Sequence, residues 1–69
     1  MKVMVTGTSG KVGPWVAREF RAQRWEVLGI DLKPPTQPDF DWIVADLEDL
    51  GQVYGLIARF RPDAVVHMA

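Results

Sequence analysis

The sequence of 69 residues predicts an α/β fold in which a parallel β-sheet is covered by helices. Short runs rich in β-branched residues alternate with stretches of helical periodicity, which is typical of this fold class. A glycine-rich turn lies between the first predicted strand and the first predicted helix, and an acidic residue ends the second strand. We expect about four strands in the order 3-2-1-4, in a unit that ends before the strands that ordinarily complete such a sheet.

The first half of the chain contains a strand, a helix and a second strand. Residues 2–6 include three consecutive apolar residues before the glycines, which predicts a strand buried on both faces. A helix is predicted over residues 11–23, because Val12, Val16 and Phe20 recur every four positions. Pro14 fits its first turn, where an N–H has no intrahelical partner. Residues 26–31 form the second strand.

The second half repeats this alternation after a proline-rich connection at residues 34–38. Strands are predicted over residues 42–46 and 64–68, with a helix over residues 50–60 between them. Two glycines inside this helix each cost it about 1 kcal/mol relative to alanine. Its predicted apolar face consists of Leu50, Val53, Ile57 and Phe60.

Composition and charge exclude several classes of function. The chain has no cysteine and one histidine, so a disulfide framework and a thiolate metal site are excluded. A net charge of -1 gives no electrostatic reason to expect nucleic acid or an anionic membrane as a partner. The longest apolar run, residues 42–45, is far shorter than the ~20 residues that cross a bilayer. With no signal-peptide pattern at its start, we expect a cytoplasmic protein.

Three glycines spaced as Gly-x-x-Gly-x-x-Gly predict a phosphate-binding loop before the first helix. Gly7 allows a tight turn out of the strand, and Gly10 lets the backbone approach a pyrophosphate. Gly13 lets the helix pack closely on the strand, and the helix N-terminus then faces the phosphates. Thr8 and Ser9 are expected to add hydroxyl donors. The alternative is that the glycines serve turn geometry alone.

Asp31 ends the second strand, 18 residues beyond Gly13. An acid at this point of a dinucleotide-binding unit accepts hydrogen bonds from the adenosine ribose hydroxyls and repels a 2′-phosphate. NAD is therefore favoured over NADP, although the nearby cation of Lys33 works in the opposite direction. An aspartate after a strand is also a common turn residue, and that alternative stays open.

The chain resembles the extended short-chain dehydrogenase/reductases, especially the NAD-dependent epimerase/dehydratase group. Four blocks carry the resemblance in the right order, at residues 3–13, 27–31, 45–47 and 62–69. The resemblance implies that residues 1–69 are part of an NAD(P)-binding Rossmann domain whose C-terminal half lies beyond this chain.

The resemblance also implies roles for residues after the third and fourth strands. Asp46 accepts from the exocyclic amine of adenine and Leu47 flanks the ring, although a helix cap or turn residue is an equal alternative for Asp46. Met68 and Ala69 form part of the cofactor's wall, whereas His67 is expected to be a hydrogen-bonded residue at a strand end. The expected cofactor-binding residues are Gly7, Thr8, Ser9, Gly10, Lys11, Val12, Gly13, Asp31, Asp46, Leu47, Met68 and Ala69.

Two departures from the family pattern concern a helix cap and the catalytic residues. The family commonly has a glycine after the first helix, but Arg24 follows Gln23 here, so the helix must end differently or accept strain. The family's Tyr-x-x-x-Lys pair is absent, because Tyr54 is followed four positions later by Ala58. We therefore assign no catalytic residue, and we expect Tyr54 to be a packing residue.

The function implied by the resemblance is NAD(P) binding within an epimerase, dehydratase or reductase that acts on a sugar nucleotide or a similar hydroxyl or carbonyl substrate. This chain alone is expected to be inactive. The alternatives are a non-catalytic NAD(P)-binding sensor or regulatory protein, and an inactive truncated product. A fourth strand at the sheet edge also favours self-association.

Overall fold

A computed structural model describes residues 1–35 and 39–68 of the chain. Thr36, Gln37 and Pro38 of the predicted proline-rich connection, and Ala69 of the predicted cofactor wall, lie outside the described residues. The elements in chain order are β1 (Lys2–Thr6), α1 (Gly13–Ala22), β2 (Glu26–Asp31), β3 (Asp41–Val44), α2 (Leu50–Phe60) and β4 (Ala64–His67).

The four strands form one parallel sheet in the order β3-β2-β1-β4, which confirms the predicted fold class and strand order. Strand β1 occupies the centre, and its residues pair with β2 on one side and β4 on the other. Thr6 lies opposite both Ile30 and His67, so the carboxyl ends of these three strands reach the same edge of the sheet.

Two strands end earlier than the sequence predicts. Pairing between β2 and β3 stops at Asp31 opposite Val44, so Ala45 and Asp46 belong to the following turn. Ala45 still donates its N–H to the Asp31 carbonyl oxygen at 3.0 Å. Strand β4 likewise ends one residue before Met68. Both strands stop opposite the last residue of their neighbour, which is Asp31 in β2 and Thr6 in β1.

Helix α1 covers one face of the sheet through a closely packed interface. Ala17 is fully buried, and Val16 and Phe20 pack against the core beside it. The prediction that Val12 belongs to this stripe is wrong, because Val12 precedes the helix and is 56% exposed. The buried members of this core are Val3, Val5, Ala17, Val27 and Phe40.

Helix α1 ends in the type of cap that usually contains a glycine, with Arg24 in the glycine position. Arg24 adopts the left-handed conformation, with φ 66°, and donates its N–H to the Arg21 carbonyl oxygen at 2.9 Å. Trp25 donates to the Phe20 carbonyl oxygen at 3.0 Å, and its ring meets that of Phe20 edge-on at 5.0 Å. These are the two hydrogen bonds and the apolar contact of a Schellman motif. The helix thus ends in this cap by accepting a non-glycine residue, Arg24, in the left-handed conformation.

Helix α2 covers the opposite face and has no buried residue. Leu56 and Phe60 pack against a second core formed by Met4, Ile30 and Ala45. The predicted apolar face is partly wrong, because Leu50 and Ile57 are exposed and Leu56 takes their place on the sheet. Spacings of three and four residues also join Val53, Leu56 and Phe60, so periodicity fits either face. The prediction that Tyr54 is a packing residue is also wrong, since it is exposed.

Candidate dinucleotide-binding site

The glycine loop leaves β1 in a turn that depends on its glycines. Gly7 has φ 76°, a conformation that favours glycine, and donates its N–H to the Ile30 carbonyl oxygen at 2.8 Å. Gly10 then donates to the Gly7 carbonyl oxygen at 3.1 Å. A Cβ on Gly13 would lie 2.1 Å from that same oxygen, so the start of α1 sits directly against the turn. This is the close helix–strand packing that the spacing predicts.

The N-terminus of α2 is capped by a side chain, whereas the N-terminus of α1 is not. At α2, Asp49 is the N-cap, and its carboxylate accepts from Gln52 N at 3.3 Å. At α1, the cap position is Val12, which provides no side-chain hydrogen bond, and Lys11 beside it is exposed. The positive end of the α1 dipole therefore remains available to an anion.

The two hydroxyl residues of the loop are not placed as the sequence predicts. Thr8 is fully buried, and its Oγ1 has no hydrogen-bond partner among residues 1–35 and 39–68. The Thr8 side chain lies where a Cβ on Gly29 would come within 2.9 Å of it, under the loop against β2. The Thr8 hydroxyl is thus buried in this structure, and its donation to a phosphate stays a prediction. Ser9 donates its hydroxyl to Asp31 instead, at 2.6 Å.

Asp31 is held at the end of β2 by hydrogen bonds to both carboxylate oxygens. Its Oδ2 accepts from Ser9 N at 3.1 Å and Ser9 Oγ at 2.6 Å, and its Oδ1 accepts from Leu32 N at 2.6 Å. Burial by itself raises the pKa of this carboxyl, but the hydrogen bonds from Ser9, Leu32 and Lys33 together outweigh that and lower the pKa below its ordinary value. Asp31 therefore carries a negative charge at neutral pH.

The turn after β3 brings Asp46 and Leu47 to the same edge of the sheet. Asp46 Oδ1 accepts from Glu48 N at 2.9 Å, and Asp46 N donates to Gln52 Oε1 at 3.0 Å. These are the contacts of a turn residue, and the N-cap of α2 is Asp49. Leu47 is half-buried and packs against the core that includes Ile30.

A hydrogen-bonded cluster closes the end of β4. Thr6 Oγ1 lies 2.7 Å from His67 Nδ1 and accepts from Met68 N at 3.1 Å. Met68 N also lies 3.3 Å from the Thr6 carbonyl oxygen. His67 is thus a hydrogen-bonded residue at a strand end, as predicted. The neighbouring Ala69 lies outside the described residues.

A cavity of about 560 Å³ lies at the carboxyl ends of the strands, where parallel α/β sheets bind ligands. Four of the predicted residues line it, namely Gly7, Asp31, Asp46 and Leu47, and His67 joins them. The predicted residues that do not line it are Thr8, Ser9, Gly10, Lys11, Val12, Gly13 and Met68. Leu32, Ala45 and Glu48 also line the cavity, and they were identifiable only as chain neighbours of the predicted acids.

Neither a metal centre nor a membrane span is found in the part of the chain that the structure describes. Residues 1–35 and 39–68 contain no group of three or more histidine, cysteine or acidic side chains arranged to hold a metal ion. Among the same residues, no helix combines the length and apolar character needed to cross a membrane.

Comparison with known proteins identifies the family. The chain matches the model of the NAD dependent epimerase/dehydratase family over residues 3–69. Methionine adenosyltransferase 2 subunit beta from Xenopus tropicalis is 32% identical over 68 residues, which are 99% of this chain and 20% of that protein. The chain thus spans about a fifth of the length of this curated relative.

Solved structures agree in both fold and sequence. The Bordetella bronchiseptica enzyme WbmH, in complex with NAD+, has a TM-score of 0.83 and 31% identity, over 99% of this chain and 25% of that one. The UDP-glucose 4-epimerase of Thermus thermophilus, in complex with NAD, has a TM-score of 0.85 and 31% identity, over 100% of this chain and 24% of that one. The predicted resemblance is confirmed, and the chain belongs to the NAD dependent epimerase/dehydratase family.

Proposed function

We propose that this chain binds NAD and forms the cofactor-binding part of an epimerase, dehydratase or reductase. The observation that carries the proposal is the cavity of about 560 Å³, where Gly7, Asp31, Asp46 and Leu47 meet at one edge of the sheet. Its volume falls within the range of small-molecule and cofactor sites. The WbmH enzyme and the Thermus epimerase, which resemble the chain over nearly its whole length, are both described with NAD bound.

The glycine loop and the start of α1 are proposed to bind the pyrophosphate. The helix N-terminus there has no side-chain cap, so its N–H groups and partial positive charge suit an anion. Gly10 is exposed and permits close approach of a ligand to the backbone. The residues assigned to this part of the site are Gly7, Thr8, Ser9, Gly10, Lys11, Val12 and Gly13.

Asp31, Asp46 and Leu47 are proposed to bind the adenosine half. The charged carboxylate of Asp31 accepts from ribose hydroxyls and repels a 2′-phosphate, which favours NAD over NADP. Asp46 accepts from the adenine amine, and Leu47 offers an apolar surface to the ring. Met68 and Ala69 are proposed as part of the wall near the ribose and pyrophosphate.

A bound nicotinamide cofactor supplies hydride transfer in such an enzyme. The residues of this chain bind and orient the cofactor, and none is assigned to proton transfer. A sugar nucleotide or a similar hydroxyl or carbonyl compound is the proposed substrate class, in line with the named activity of the Thermus epimerase. Self-association through an exposed sheet edge and a cytoplasmic location stay predictions.

A non-catalytic regulatory role is the second candidate. It is favoured by the similarity to a protein named as a subunit of methionine adenosyltransferase. The two candidates differ in whether the protein contains the family's Tyr-x-x-x-Lys pair, which this chain lacks. Chemical conversion of a substrate, with the NAD either reduced or regenerated in the turnover, supports the enzyme, whereas dinucleotide binding without any conversion supports the regulator.

The experiment is a calorimetric titration of the protein with NAD and separately with NADP, for the wild type and Gly10→Val. A Cβ on Gly10 meets only the Gly7 carbonyl oxygen, at an ordinary contact distance of 3.4 Å, so the variant is expected to fold. We expect saturable binding of NAD, weaker binding of NADP, and a loss of at least about tenfold in NAD affinity for Gly10→Val.

Gly55→Ala is the matched control, because it changes a glycine on α2 away from the loop. It should leave the NAD affinity unchanged, and thermal unfolding of each variant reports whether it folds. Wild-type affinity in a folded Gly10→Val protein would contradict the loop assignment. Binding of neither dinucleotide by the wild type would overturn the proposed function.

A further inference from the structure

Ser9 connects the glycine loop to the end of β2 through a single carboxylate oxygen. Its backbone N–H and its hydroxyl both donate to Asp31 Oδ2, at 3.1 and 2.6 Å. The hydroxyl contact has the short length of a charge-assisted O–H···O⁻ hydrogen bond, roughly twice as strong as a neutral one. With Leu32 N on Oδ1, each oxygen of the carboxylate is held by the chain itself.

This arrangement matters because the recognition of a ribose depends on where the negative charge lies. An aspartate side chain that is not held rotates about two torsions, and its charge spreads over several positions. Asp31 lines the cavity, and Lys33, two residues later, is exposed and of opposite charge. A displaced or mobile carboxylate would leave this cation better able to meet an added phosphate.

We propose that Ser9 is a positioning residue whose hydroxyl fixes the Asp31 carboxylate and thereby sets the preference for a free ribose 2′-hydroxyl over a 2′-phosphate. The inference rests on the proposed dinucleotide function and assigns to Ser9 a role distinct from phosphate binding. The Ser9 hydroxyl donates its one hydrogen bond to Asp31 Oδ2, at 2.6 Å, so it has no second proton to donate to a phosphate.

The test measures the ratio of the NADP and NAD dissociation constants by calorimetry in the wild type, Ser9→Ala and Ser9→Thr. We expect the ratio to fall by roughly tenfold in Ser9→Ala and to be retained in Ser9→Thr, which keeps the hydroxyl. A purely structural role in shaping the loop would weaken both dinucleotides in proportion and leave the ratio unchanged. Ser9→Cys nearly preserves the side-chain volume, but its thiol is a weak donor. It is therefore a second variant that weakens the hydrogen bond to Asp31.

A double-mutant cycle with Asp31→Asn tests whether Ser9 acts through the carboxylate. Once Asp31 is neutral, adding Ser9→Ala should change the ratio by less than about twofold, because the charge that Ser9 positions is gone. The same tenfold fall in both backgrounds would overturn the inference.

The two proposals fail in different ways. If the wild type binds NAD and the ratio is unchanged in folded Ser9→Ala and Ser9→Cys proteins, the Ser9 inference is overturned and the proposed function stands. If the wild type binds neither dinucleotide, the proposed function itself fails.

Discussion

The two faces of the sheet are covered to very different degrees. On the α1 face, Ala17 is fully buried and Gly13 lies against the backbone of Gly7. On the α2 face, the helix has no buried residue, and Leu50 and Tyr54 are 65% and 68% exposed. Both helices are amphipathic and similar in length, so the difference comes from how closely each backbone approaches the strands.

The difference indicates which side of the molecule fixes the glycine loop. The loop runs from β1 into α1, so the closely packed face determines the position of the backbone proposed to bind phosphate. The turn at Asp46 and Leu47 leads into α2 and is supported by fewer buried groups. The glycine loop, whose backbone position matters, is thus supported by the closely packed face. The turn at Asp46 and Leu47, proposed to contact adenine, leads to the more exposed face.

The largest effect is expected from adding a methyl group at the tight contact. In Gly13→Ala the Cβ would lie 2.1 Å from the Gly7 carbonyl oxygen and 2.9 Å from Thr8 Cα, so backbone must move. We expect a loss of unfolding free energy above the upper end of the ~1–3 kcal/mol usual for overpacking, measured by urea denaturation.

The matched change on the other helix should have the opposite sign. A Cβ on Gly55 meets only Arg59 Nη2, at 3.9 Å, and helix propensity favours alanine by about 1 kcal/mol. Gly55→Ala should therefore stabilise the protein. Equal effects of the two substitutions would remove the contrast between the faces.

A smaller effect is expected from enlarging an alanine on each helix. Ala17 has no exposed surface, so Ala17→Leu should destabilise the protein by about 1–3 kcal/mol through overpacking. Ala58 is exposed on α2, so Ala58→Leu should change stability by less than about 0.5 kcal/mol. A tolerated leucine at position 17, seen as an unchanged denaturation midpoint, would contradict the close packing of α1.

The smallest effect concerns the helix N-termini. Asp49→Ala removes the side chain that caps α2 and should cost about 1 kcal/mol. Val12→Ala, at the corresponding position of α1, removes no cap and should cost less. Thermal unfolding of both variants without dinucleotide measures the difference, and a larger loss for Val12→Ala would contradict the exposed position of the Val12 side chain.

The strand order could be predicted because parallel α/β units follow common topology rules, and the bounds of three of the six elements could be predicted because they depend on local patterns. The bounds of β1, β2 and α2 are as predicted, since glycine, proline and charged residues mark their ends. The buried face of α2 could not be predicted, because spacings of three and four residues fit two faces that share Val53 and Phe60. Only the position of the sheet selects Leu56 over Leu50 and Ile57.

The candidate site was predictable in its location but not in its side-chain contacts. Gly7, Asp31, Asp46 and Leu47 line one cavity because parallel strands end at a common edge. The Thr8 side chain lies in space that is free because Gly29, a residue far away in sequence, has no Cβ. The partner of Ser9 depends likewise on Asp31, 22 residues later, and no local pattern reveals that hydrogen bond.

The central position of β1 has a consequence for how the chain folds. Strand β1 precedes both of its pairing partners in the sequence, and Val3 pairs with Ala64, which lies 61 residues later. At ribosomal rates of about 5–20 residues per second, β1 waits several seconds for β4. During that interval an apolar strand has one edge unpaired, so its chance of pairing with another nascent chain is greatest before β4 emerges.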